Sequence, residues 1–108
     1  MTKAQVSAMM DSIGIPYAYH HFVKTDVAPP FVLFYYSNSQ DFVADNINYK
    51  EINRLVIELC TDERDFELES IIKALLKANE LVYSQTETYL ESERMYVITF
   101  STSITMEE

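Results

Sequence analysis

The chain has 108 residues, 48% hydrophobic and 23% charged, with 17 acidic against 8 basic side chains and a formal net charge of −9. That length is enough for one domain over residues 1–108, with a single core between two layers of structure, and leaves no room for a second. The basic residues are scattered singly, so neither sequence-specific nucleic-acid binding nor a polybasic membrane patch is expected, and no apolar run approaches the roughly 20 residues of a spanning helix.

The opening MTKAQVSAMMDSIG has no continuous apolar stretch followed by a small-residue cleavage site, so no signal peptide is expected. Cys60 is the one cysteine, which excludes an intrachain disulfide and suits a reducing interior. In residues 2–13, Val6, Met9, Met10 and Ile13 recur at spacings of three and four before Gly14 and Pro16, which predicts a short amphipathic helix. YAYHHF (17–22) reads as a short strand, and the connector KTDVAPP leads into FVLFYYSNS, a strong strand of β-branched and aromatic residues. The polar, glycine-free segment from Gln40 to Lys50 reads as a longer loop or a bulged continuation, not a tight hairpin.

EINRLVIELC (51–60) is the next strand, with Leu55, Ile57 and Leu59 on one face and Arg54, Val56 and Glu58 on the other. Asp65 is placed to cap a helix over FELESIIKALLKAN, whose stripe is Leu68, Ile71, Ile72, Leu75 and Leu76, with Glu67 and Glu69 in the first turn. Two strands, LVYSQTETY and RMYVITFSTSITM, complete the chain, joined through LESE. The order predicts an α+β fold: a mostly antiparallel sheet with two helices packed on one face.

FVLFYY carries apolar side chains on both faces: Val32, Phe34 and Tyr36 on one, Phe31, Leu33 and Tyr35 on the other. A sheet covered by helices on one side leaves the second set outward, so a partner surface is expected to cover it; the alternative is that the first helix or the 40–50 loop folds over it. Phe34, Tyr36 and Val56 are the candidate contact residues. The last strand, at thirteen residues, is long enough that it must bend or reach out to a neighbour.

Catalytic and ligand constellations are not legible. Adjacent His20 and His21, read as strand residues, project to opposite faces and act on nothing jointly. HExxH, CxxC and calcium-loop spacings do not occur, and Gly14 as the only glycine excludes phosphate-cradling loops. Cys60 lies within a strand with no helix N-terminus or basic neighbour to activate it, and Glu87, Glu91 and Glu93 sit near a turn where solvation is expected. No catalytic, metal or cofactor-binding residue is assigned, and a non-enzymatic role without cofactors is expected.

The run APPFVLFYYSNSQDFVADNINYKEINRLVIELCTDERDFELESII, followed by LVYSQTETYLESERMYVITFSTSI, resembles a small protein from the tail-assembly region of siphophages and prophages of Gram-positive bacteria. The shared pattern is a PPF-start strand, an acidic-aromatic loop ending in Y-x-x-I-N, a V-x-I-E-L-T/C-T-D strand, a helix, and a T-E-T-Y-I/L-E-S-E step into the last strand. It covers about residues 28–104. The resemblance implies a tail-completion or tail-terminator protein located in the virion tail or neck and assembled in the host cytoplasm. Its copies would form a ring, typically hexameric, in contact with the tail-tube protein and a head-completion or connector protein. The alternatives are another neck or minor tail component, or an acidic inhibitor that imitates DNA. A small enzyme anchored on Cys60 or the histidines is the third class, which Cys60→Ser and His20→Ala would test.

Overall fold

The computed structural model describes residues 1–22, 27–37 and 51–106; the expected 40–50 loop lies outside them. Helix α1 spans Lys3–Asp11. Thr2 caps it: its hydroxyl accepts the Gln5 amide at 3.1 Å while the Gln5 side chain accepts the Thr2 amide at 2.8 Å, so two otherwise orphaned donors are satisfied. The chain leaves the helix through Gly14 at φ +89°, a left-handed conformation that a side chain would strain.

Helix α2 spans Phe66–Ala78 and starts where its sequence predicts, with the Asp65 carboxylate accepting the Leu68 amide at 3.0 Å. Its buried side chains are Glu69, Ile72 and Leu76, with Leu68 and Leu75 partly buried at their flanks. Ile71, expected on the apolar stripe, is 41% exposed, and the place it was given is taken by Glu69 at 1%. Positions 69, 72 and 76 follow the helical repeat, and Ile71 falls off that line.

Five strands form one sheet in the order β1-β2-β3-β5-β4. They are β1 (Tyr17–Tyr19), β2 (Phe31–Ser37), β3 (Glu51–Thr61), β4 (Tyr83–Leu90) and β5 (Met95–Met106). β1 runs parallel to β2, and the β2–β3, β3–β5 and β5–β4 pairs are antiparallel. The fold is α+β, as its sequence predicts. β1 is shorter than the expected 17–22 because His20 turns to φ 66°, outside the extended region.

The long last strand does not reach out of the molecule. β3 pairs it from Glu51↔Met106 to Thr61↔Tyr96, and β4 pairs its other side from Tyr83↔Thr102 to Leu90↔Met95. Its length is therefore matched by a neighbour of nearly the same length within the chain. Beyond the start of β4 its outer edge is met by the Met1 ammonium, which donates to the Thr105 carbonyl at 2.7 Å.

Both helices lie on one face of this sheet. Val6, Met9, Met10 and Ile13 of α1 and its exit join Ile72 and Leu76 of α2 over Val32 and Phe34, Leu55, Ile57 and Leu59, and Ile98, Phe100 and Ile104. Each fully buried aliphatic or aromatic side chain contributes about 1.5–3 kcal/mol of transfer free energy, so this one cluster dominates the stability of the domain.

Candidate assembly surface

Cross-strand register decides which side chains share a face. Phe34 pairs with Ile57, Tyr36 with Leu55 and Tyr35 with Val56, so Phe34 and Tyr36 belong to the helix-covered side and Val56 to the opposite one. The three candidate contact residues are not brought together. Phe34 is 5% exposed inside the core, with Tyr19 edge-on at 5.4 Å, and offers a partner nothing. Tyr36 packs at the core margin against Tyr19, whose hydroxyl accepts the Tyr36 amide at 3.3 Å. Val56 keeps the expected face but is 7% exposed. The outward members of β2 are the odd-numbered residues Leu33 and Tyr35, both half-buried.

No helix among the described residues covers this second face. One end of it is filled locally: Phe31, Cys60 and Val97 form a small cluster onto which Phe22, Val27, Leu33 and Met95 pack, with Phe22 edge-on to Phe31 at 5.3 Å. Thus Phe22 and Val27, from the segment ahead of β2, help close this corner, and α1 does not. Asp62, Glu93 and His21 rim the shallow groove that remains beside it. Farther along the face, Tyr35, Glu58, Thr99 and Ser101 follow, with the Arg54 guanidinium donating to the Ser101 hydroxyl at 2.7 Å.

The electrostatics of the face follow from partial burial. Desolvation raises the Glu58 carboxyl above its ordinary range, and the nearby His20 opposes part of that rise. Tyr35 is raised as well, by burial first and by Glu58 second. The Cys60 thiol is pushed up to about 12, by burial first and then by Glu58 and Glu93, which places it far from the activated thiolate a nucleophile requires.

The histidine pair differs from its sequence reading. Both residues lie past the end of β1, so strand alternation does not apply; the rings meet edge to face at 5.4 Å, with the two Nδ1 atoms 3.2 Å apart. Among the described residues, however, no group of three or more His, Cys, Asp and Glu side chains is placed to hold a metal ion.

A second polar constellation lies on the helix side and was missed in the sequence. Glu69, buried in α2, accepts two bonds from Arg64, from Nη2 at 2.9 Å and Nε at 3.0 Å, and one from Gln85 Nε2 at 3.2 Å. Arg64 also donates to Glu87 of β4, and its guanidinium lies 4.7 Å from the Phe66 ring centroid. A buried carboxylate needs such partners, and here they tie the start of α2 to the outer strand of the sheet. The available signal was Glu69 in line with Ile72 and Leu76, with an arginine five residues ahead; its place in the first helical turn made a solvated dipole partner the obvious reading.

No family model matches the chain, and no curated protein matches it. No helix among the described residues is long and apolar enough to cross a membrane.

Proposed function

We propose that the chain is a structural subunit of a phage tail, a terminator or tail-completion protein whose copies close into a ring on the end of the tail tube and join it to the head. The observation that supports this reading most is the sheet face opposite the helices. Its apolar and aromatic side chains, Leu33 and Tyr35 above all, stand where no described helix covers them. A ring needs heterologous contacts between different patches on neighbouring copies, and an apolar face on a small acidic domain is suited to supply one of them. The sequence resemblance over residues 28–104 points to the same role, with the tail-tube protein and a head-completion protein as neighbours.

Mass determination of the purified protein, with and without tail tubes, tests the proposal. A ring on the tube ends is expected, and Tyr35→Asp should abolish it while the subunit stays folded. A chain that neither binds tube ends nor alters tail length would refute the terminator role.

A further inference from the structure

The two edges of the sheet are finished differently. β1 is three residues long, follows Pro16 directly and ends in the left-handed turn at His20, so it offers little to an incoming strand. β4 is eight residues long and contains no proline, glycine or lysine; its register with β5 runs unbroken from Tyr83↔Thr102 to Leu90↔Met95, with no bulge. Its single charge, Glu87, is bound by Arg64 of the same chain. Proteins blunt edges that must stay single, with short strands, prolines, bulges or free charges, and here one edge is blunted while, among the described residues, the other has no neighbouring strand.

The residues along the β4 edge are also arranged symmetrically. In Val82-Tyr83-Ser84-Gln85-Thr86-Glu87-Thr88-Tyr89-Leu90, the side chains pair by type about Thr86: Gln85 with Glu87, Ser84 with Thr88, Tyr83 with Tyr89, Val82 with Leu90. Val82, just ahead of β4, is 89% exposed, and within the strand Tyr89 is 46% and Leu90 36% exposed, high values for apolar and aromatic side chains.

We propose that β4 is a self-association edge, pairing antiparallel with β4 of a second copy about a two-fold axis at Thr86, so that one continuous sheet runs through both copies. A two-fold along the sheet normal keeps both helical layers on one side and sets odd residues opposite odd and even opposite even. Among the registers this allows, centring on residue 87 opposes the two Glu87 carboxylates. Centring on 85 or 88 sets Glu87 against a tyrosine and an apolar residue against threonine. Centring on Thr86 places Glu87 beside Gln85, joins the tyrosines, and gives Val82 a leucine partner, matches that stabilise cross-strand pairs. The contact is isologous and closes as a dimer. It uses a strand edge and not the sheet face on which the ring proposal rests, and it stands independently of that proposal.

Sedimentation of the purified full chain across concentration, without tail tubes, should show a dimer. Thr86→Lys places two like charges on the axis and should raise the dimer dissociation constant by at least about tenfold. Thr86→Cys should cross-link under mild oxidation, because directly opposed residues lie about 4.5–5.5 Å apart at Cα, within disulfide reach. Thr88→Cys should not, since it stands about 14 Å along the strand from its symmetry mate. Cys60, 2% exposed, does not compete. A wild-type chain that is monomeric at every concentration overturns the proposal, as does Thr88→Cys cross-linking as readily as Thr86→Cys. A dimer that forms in this register and ignores tube ends upholds the edge contact while removing the terminator role.

Discussion

Replacing Thr61 with valine should stabilise the protein. Thr61 is the last residue of β3, on the helix-covered face opposite Tyr96; it is 3% exposed and its Oγ1 has no hydrogen-bond partner among the described residues. Burying a hydroxyl without a partner costs about 1–3 kcal/mol, because its bonds to water are lost and nothing replaces them. Valine keeps the branched shape, the stiff χ1 and the strand preference, so Thr61→Val exchanges the hydroxyl for a methyl group without opening a cavity. The expected gain is about 1–2 kcal/mol, and in a domain of this size each kcal/mol moves Tm by about 4–8 °C. Urea unfolding followed by far-ultraviolet circular dichroism should show the midpoint rising at unchanged slope. Thr61→Ala removes the hydroxyl and the methyl together and should gain less, which separates hydroxyl burial from side-chain volume. A midpoint that falls in Thr61→Val by the equivalent of about 1 kcal/mol would show that the hydroxyl is satisfied and would refute the reasoning.

Two further outcomes test the second sheet face. Glu58 has a raised pKa, so the folded protein holds its proton more tightly than the unfolded chain, and the ionised carboxylate costs stability as pH rises from the ordinary glutamate range through the raised value. Glu58→Gln should therefore melt a few degrees above wild type at about pH 7 and level with it at about pH 3; equal melting temperatures at both would show that Glu58 is not desolvated. Cys60, with its thiol pushed up to about 12 and 2% exposed, should ignore an aromatic disulfide reagent at mildly alkaline pH until denaturant is added. Prompt reaction of the native protein would show that the cluster of Phe31, Cys60 and Val97 opens readily.

Local pattern was sufficient for the elements. The three-and-four spacing from Val6 to Ile13, the Asp65 cap, the alternation of Leu55, Ile57 and Leu59, and the helix-strand order each depend on neighbours within a few residues, and each predicts the element that forms. Face assignment in β2 was a different problem. With apolar residues at both odd and even positions, nothing within FVLFYY says which set meets the helices; that is set by pairing with β3, some twenty residues later, and by the side on which α1 and α2 lie. Phe34 and Tyr36 accordingly lie on the helix-covered side, while Leu33 and Tyr35 hold the outward positions. The length of the last strand alone leaves a bend or a reach to a neighbouring molecule open; β3, of nearly the same length, becomes its partner only once the two strands are paired.

Glu69 and β4 show the same division. The sequence by itself determined that Glu69 lies in line with Ile72 and Leu76, and that VYSQTETYL is symmetric about Thr86. Only the tertiary structure decided that Arg64 and Gln85 reach Glu69 in the interior, and that β4 is the outer strand, with no further strand beyond it among the described residues. Periodicity and symmetry are properties of a short segment. Burial, charge pairing and edge position arise when distant segments are brought together, and they depend on packing that no short segment encodes alone.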